Sequence, residues 1–154
     1  MNVYVASSWK NENRITAVVN LLEKNLYRVY DFRRNDAFKW SQVDANWETW
    51  DSRTFMAALR HARARVGFRA DMAALQLCDV CVLLLSCGRS AHLEAGWCKG
   101  AGKRVIVCLS RSETAPAELM YLMADAVVDN LDSLLFEINK MRAAYGEVTN
   151  ENGV

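Results

Sequence analysis

The sequence is short of the features that mark special classes of protein. Its 154 residues include one proline, seven glycines and two histidines, and 19 Lys and Arg nearly balance 18 Asp and Glu, for a net charge of +1. That balance excludes a binder of nucleic-acid polymers that works by bulk electrostatics. No apolar run approaches the roughly 18 residues of a membrane span. The first residues, Met1, Asn2, Val3, Tyr4 and Val5, lead straight into a strand pattern without the basic region of a signal peptide. A cytoplasmic protein without membrane contact is therefore expected. Internal repeats, low-complexity tracts and linkers are also missing, so a single domain is expected over 1–146, followed by a flexible tail over 147–154.

Cysteine is present but arranged for nothing obvious. There are five, an odd count, and Cys81 and Cys108 fall inside apolar strand patterns, where reduced buried thiols are the ordinary reading. Cys78 and Cys81 have Cys-x-x-Cys spacing, but Cys81 lies within a strand and no second pair completes a zinc motif. Neither a metal nor a cofactor is expected. Cys98 reads as a packing residue of its helix.

What the chain does have is alternation. Hydrophobic residues make up 52%, and short strand patterns occur at 3–6, 27–30, 80–85, 104–109 and 126–128. Between them, Ile15, Val18, Val19 and Leu22 share one face of a helix over 11–26. Phe55, Leu59 and Ala62 do so over 54–65, with Arg60, His61, Arg63 and Arg65 making a basic, solvated face. Gly67 is expected to break that helix before a short one over 70–77. Pro116 can start a helix through Met123, and Leu134, Leu135, Ile138 and Met141 mark a closing helix over 131–145. Residues 32–51 lack a period and carry Phe32, Phe38, Trp40, Trp47 and Trp50; a loop of that length is usually functional. Five strands alternating with helices predict an α/β, flavodoxin-like (Rossmann-like) three-layer sandwich with a parallel sheet in the order 2-1-3-4-5.

Chemistry concentrates between Asp79 and Leu109. A strand over 80–85 ends in Ser86-Cys87-Gly88-Arg89-Ser90, a helix begins at once, and Glu94 lies on what reads as its first turn. Ligands of open parallel sheets bind beyond the strands' carboxyl ends, where Ser7, Ser8 and Asp31 would also gather. A glutamate there can be a nucleophile, a general base or a helix-start charge; Ser90 and Glu94 stand four apart, near the capping-box spacing of three. The positive end of the helix favours the ionised form. Gly88, Arg89 and Ser90 can form an anion site, Asp71 can supply a second acid, and His92 can act as general acid or stay inert. Trp50 and its neighbours can stack on a base or pack the loop. Asp44, Glu48 and Asp51 are spare loop carboxylates, and Asp79 reads as a turn or cap residue.

These residues resemble the nucleoside 2-deoxyribosyltransferase family and its relatives, the nucleoside monophosphate N-glycosidases. The resemblance spans most of the chain: the opening strand and polar turn over 3–8, Asp71-x7-Asp79-Val80-x-Val82, and the run from Glu94-Ala95-Gly96-Trp97 to Val105. It implies Glu94 as the nucleophile of a glycosyl-enzyme intermediate, Asp71 as the acid near nucleophile and base, and Ser7 and Ser8 in the substrate pocket. Where transferases usually carry an aspartate, six residues before the glutamate, Gly88 stands. Arg89 and Ser90 suit a 5′-phosphate, which favours a nucleotide. No counterpart is found to the carboxy-terminal asparagine that transferases lend to a neighbouring site. The family implies a homodimer or larger homo-oligomer. A looser similarity links 85–94 to NAD-cleaving Toll/interleukin-1 receptor-like domains. The expected function is cleavage or transfer at an N-glycosidic bond, as a hydrolase or transferase of nucleotide metabolism. A NAD-cleaving enzyme and a non-catalytic nucleotide-binding or signalling module are the alternatives.

Overall fold

The computed structural model describes residues 1–34, 37–110 and 118–151, the last seven of these as backbone alone. Five strands form one parallel sheet: β1 (Asn2–Ala6), β2 (Arg28–Asp31), β3 (Val80–Leu84), β4 (Arg104–Cys108) and β5 (Ala126–Val128). Their order, β2-β1-β3-β4-β5, is the expected one. The helices are α1 (Glu12–Lys24), α2 (Ser52–Ala58), α3 (Ala62–Leu77), α4 (Arg89–Gly100) and α5 (Leu131–Glu151). Among the described residues no helix is long and apolar enough to cross a membrane.

The period-two alternation of the strands divides the interior into two cores. On one face Val3, Val5, Val82, Leu84, Ile106 and Cys108 meet Ile15, Val18, Val19 and Leu22 of α1 and Leu134 and Ile138 of α5. On the other, Tyr4, Ala6, Cys81, Leu83, Val105 and Val107 meet Leu75 of α3 and Ala91, Ala95 and Cys98 of α4. Because both faces are covered, β3 is buried along its whole length, which is why it reads as a continuous apolar run. α4 ends on Gly102, whose φ of +76° suits glycine. Its N–H bonds Lys99 O at 3.1 Å, Lys103 N–H bonds Cys98 O at 2.9 Å, and the chain turns into β4.

Three expectations are corrected. Gly67 does not break a helix; it lies inside α3. A Cβ there would stand 2.6 Å from Phe38 Cβ, so glycine lets the aromatic loop seat directly on the helix. The break falls instead before Ala62, where His61 Nδ1 accepts from Arg63 N–H at 3.2 Å and caps a new start. Residues 37–51 are not structureless: two 3₁₀ turns, Trp40–Gln42 and Trp47–Thr49, are drawn together by edge-on contacts of Trp40 with Phe38, Trp50 and Phe55 at 4.9–5.6 Å. Glu94 is not on the first turn of α4, because the N-cap is Gly88 and no side chain caps it. That places Glu94 six positions beyond the cap, past the reach of the terminal dipole.

The Pro116 helix start lies outside the described residues. Leu119–Met123 forms a 3₁₀ helix, with Tyr121 N–H on Glu118 O and Ala124 N–H on Tyr121 O. α5 continues past Glu147, where the tail is expected to begin, to Glu151. Gly146 weakens a helix by about 1 kcal/mol without ending it.

Candidate active site

The site grows from a register. β1 and β2 pair Tyr4 with Tyr30, while β1 and β3 pair Tyr4 with Cys81. Both tyrosines therefore project from the same face of the sheet, and their rings stack at 5.1 Å with 17° between planes. Above them lie the middle of α3, which brings Asp71, and the second turn of α4, which brings Glu94. Both carboxylates are half-buried. The Tyr30 hydroxyl donates to Asp71 Oδ1 at 2.9 Å.

Tyr4 is wholly buried. Its hydroxyl faces the Glu94 carboxylate and favours its charged form, yet the contact falls short of full hydrogen-bond geometry and the hydroxyl has no other protein partner among the described residues.

The electrostatics follow from crowding two carboxylates into a low-dielectric corner. Burial, and then the charge of Asp71, push Glu94 up to about 7, with the Tyr4 hydroxyl pulling the other way. Burial also raises Asp71, opposed by the bond from Tyr30. Burial and the two carboxylates raise both tyrosines, so the phenols stay protonated donors. This is the reverse of the expectation that the helix dipole holds Glu94 ionised. Burial and a like charge outweigh a dipole that has faded by the second turn.

The remaining residues divide into three groups. Ser7 sits where β1 ends beside β3, its hydroxyl donating to Leu84 O at 2.8 Å and accepting from Asn11 Nδ2 at 3.2 Å. Ser8 caps the 3₁₀ turn Trp9–Asn11, accepting from Lys10 N–H at 3.3 Å. Gly88, Arg89 and Ser90 form the exposed start of α4, and nothing lies within 4 Å of a Cβ built at Gly88.

His92 is not brought to the carboxylates. Two positions from Glu94, it points about 200° around the helix. Nδ1 lies 2.9 Å from Gly88 O and Nε2 3.0 Å from the Tyr121 hydroxyl, with the two rings stacked. Trp50 is held inside its own loop, its indole N–H donating to Asp44 Oδ2 at 2.7 Å. Asp51 caps α2 through Thr54 N–H at 2.7 Å, and Asp79 accepts from Asn2 N–H at 2.7 Å.

Four contributors were missed by sequence reasoning. Tyr4 and Tyr30 carried a signal in strand alternation: each occupies the same parity as the face that bears α3 and α4. Asn11, the N-cap of α1, and Arg14 in its first turn stand four positions before Ile15 and Val18 of its inner face. Arg14 donates to Leu85 O and, at 2.8 Å, to Leu109 O; Asn11 donates to Leu85 O at 3.0 Å. Together they tie the carboxyl ends of β3 and β4 in place. Among the described residues no group of three or more His, Cys, Asp or Glu could hold a metal ion.

No protein-family model matches the chain, and no curated protein sequence matches it. Solved structures do. A CMP N-glycosidase of Clostridium botulinum aligns at 16% identity and a TM-score of 0.54, over 90% of this chain and 99% of that one. A 2-deoxyribosyltransferase from Bacillus psychrosaccharolyticus aligns at 16% identity and 0.62, over 87% and 90%. A conserved protein from Enterococcus faecalis aligns at 16% identity and 0.60, over 92% and 98%. At these identities the likeness is one of fold, and it extends over nearly the whole of each chain.

Proposed function

We propose that the protein is an enzyme that cleaves, or transfers at, the N-glycosidic bond of a nucleoside or nucleotide, with Glu94 as nucleophile and Asp71 assisting the leaving base. The observation that carries this reading is the pair of half-buried carboxylates, each attended by a tyrosine hydroxyl, at the switch point of the sheet. The N-glycosidase and deoxyribosyltransferase names borne by two structural neighbours support the reaction class.

The chemistry needs one proton on two carboxyls. Ionised Glu94 attacks the anomeric carbon as the bond to the base nitrogen breaks, through an oxocarbenium-like transition state. The bonding pair leaves with the base, and protonated Asp71 supplies its proton. Water, or a second base through its N–H nitrogen, is deprotonated by the Asp71 carboxylate and displaces Glu94 from the sugar, which restores the resting enzyme. Raised pKa values on both groups bring the singly protonated pair within reach near neutrality. Tyr4 favours the charged form of Glu94, whereas the Tyr30 bond and the charge of Asp71 favour the proton on Glu94, so the reactive state forms when that proton passes to Asp71.

Ser7 and Ser8 flank the sugar. Gly88, Arg89 and Ser90 would hold a 5′-phosphate, with no aspartate at Gly88 to repel it. His92, bonded to Gly88 O, steadies that turn, and Trp50 keeps the aromatic loop folded over the base side.

The test is a panel of deoxynucleosides, ribo- and deoxynucleoside monophosphates and NAD, read by chromatography for free base and for base exchange. Wild-type protein should release base from at least one class, and Glu94→Gln should reduce that release at least ~10³-fold while staying folded. Full activity in Glu94→Gln contradicts the nucleophile assignment. Calorimetric binding without turnover of any member selects a non-catalytic module instead.

A further inference from the structure

The stacked tyrosines do more than fill the core beneath α3 and α4. Tyr4 and Tyr30 are register partners on neighbouring parallel strands, and parallel strands lie about 4.8 Å apart. The observed ring separation of 5.1 Å is close to that spacing. Stacking at 17° holds the two phenols side by side, with their hydroxyls presented to different helices: Tyr30 to Asp71 of α3, Tyr4 toward Glu94 of α4. We propose that Tyr30 is a positioning residue for Asp71, and that the stacked pair assigns one phenol to each carboxylate and so sets which of the two carries the proton. The role in the reaction rests on the function proposed above; the division of the phenols does not.

The geometry gives this its content. With Oδ1 of Asp71 taken by the Tyr30 hydroxyl at 2.9 Å, the carboxyl cannot turn freely, and Oδ2 is the oxygen left to carry a proton to the leaving base. The groups whose charges bear on the pair are Tyr4 from β1, Tyr30 and Asp31 from β2, Cys81 from β3, Cys87 from the turn before α4, and the two carboxylates themselves. Asp31 is engaged by Arg33 at 2.7 Å. The Tyr30 bond lowers Asp71, and the charge on Asp71 raises Glu94. Removing the Tyr30 hydroxyl must therefore move the two carboxyls in opposite directions, Asp71 up and Glu94 down.

Tyr30→Phe keeps the ring and its stack and deletes only the donor. Carbon-13 carboxyl shifts of the ligand-free protein, labelled at Asp and Glu and assigned with Asp71→Asn and Glu94→Gln, are followed against pH. Opposite displacements are expected, whereas a ring needed only for packing would leave both titrations unmoved. Replacing Tyr30 alone by 3-fluorotyrosine, a stronger donor, should reverse both displacements, and this variant serves if the phenylalanine protein fails to fold. With the substrate found in the panel, Tyr30→Phe should lower kcat tenfold or more, because the lost orientation of Asp71 outweighs a proton shift that by itself favours the reactive state, and change KM by less than threefold. Unmoved titrations, or two displacements of the same sign, overturn the proposal while leaving Glu94 as nucleophile untouched. Opposite displacements in a protein whose Glu94→Gln variant still releases base would sustain the tyrosine pair and remove Glu94 as nucleophile, whereas opposite displacements in a protein that releases base from no member of the panel would sustain the pair and remove the glycosidic reading.

Discussion

The two flanks of α4 differ in kind. On the side facing α3, Glu94 and Asp71 influence each other's charge over a pair of stacked tyrosines, and burial shifts both carboxyls upward. On the side facing β4 and the 118–124 segment lies a cavity of about 240 Å³ lined by Leu83, Val105, Val107, Tyr121 and Met123, with His92 and Lys99 at its edge. An enclosed apolar lining is the usual guide to a binding site, and it leads here to the second flank. Reactive groups lead to the first. The second flank has its polar groups already matched, His92 with Tyr121 and Lys99 with Asp125 at 2.9 Å. On the proposed function the first flank is the working one, and what distinguishes it is a carboxyl whose charge is not already matched by a partner, more than room.

The sharpest way to break this contrast is Asp71→Asn. Loss of the second carboxyl should reduce base release by about 10²- to 10⁴-fold. It should also change the shape of the rate profile. The reaction needs one proton on the two carboxyls, and the charge of Asp71 is a cause of the raised Glu94 value, so that proton is lost as pH rises through about 7 and wild-type activity should fall there. In Asp71→Asn no second carboxyl is left to serve as acid and one of the two causes that raise Glu94 is gone, so the residual activity should instead rise with pH, through a value below 7. A pH profile of kcat/KM on both proteins checks the sign. The same shift has a stability face. Because the folded value lies above the ordinary carboxyl range, the contribution of Glu94 is fully present below that range and is lost as pH rises through about 7.

A smaller effect is expected from the wall of the corner. Gly67→Ala would put a methyl 2.6 Å from Phe38 Cβ, backbone-attached atoms on both sides that cannot swing away. The aromatic loop should lift from α3, costing about 1–3 kcal/mol. Denaturant midpoints and tryptophan emission measure it, and an unchanged midpoint would show that the loop does not bear on the helix.

The smallest change tests the other flank. Gly96 lines the apolar cavity, and a Cβ there meets nothing within 4 Å. Gly96→Ala should stabilise α4 by about 1 kcal/mol, raise Tm by about 2–4 °C and leave base release within about twofold. A tenfold loss of release would make the apolar cavity part of the working site.

Much of this was legible in the residues. Strand alternation and turn positions were enough for all five strands and their order, because β1, β3 and β4 are apolar runs that only a sheet covered on both faces can bury. Glu94 was legible from its place on the helix after the third strand, and Asp71 from a helix that runs into that strand; the structure sets them over the face of the sheet, on the second turn of α4 and the middle of α3. What could not be read was long-range. The fate of Gly67 depends on Phe38, 29 positions away, and a helix-breaking residue in isolation becomes the seat of a loop once that contact exists. The aromatic loop looked structureless because its order comes from side-chain contacts, with no backbone period to betray it. The pKa of Glu94 was read with the wrong sign because a dipole at the helix start is visible in sequence, whereas burial against Tyr4 and the charge of Asp71 are visible only in three dimensions. His92 looked like a neighbour of Glu94; the helical turn sends it to the opposite flank.

The central claim is that Glu94 takes the sugar. The most direct measurement is the mass of the protein after acid quench of its reaction with a slow, 2′-fluorinated analogue of the substrate found in the panel, followed by peptide mapping. The account predicts one fluorinated sugar on the peptide that contains Glu94, and none on Glu94→Gln. A sugar carried by another side chain, or turnover of the analogue with no protein-bound sugar at any time, would contradict it.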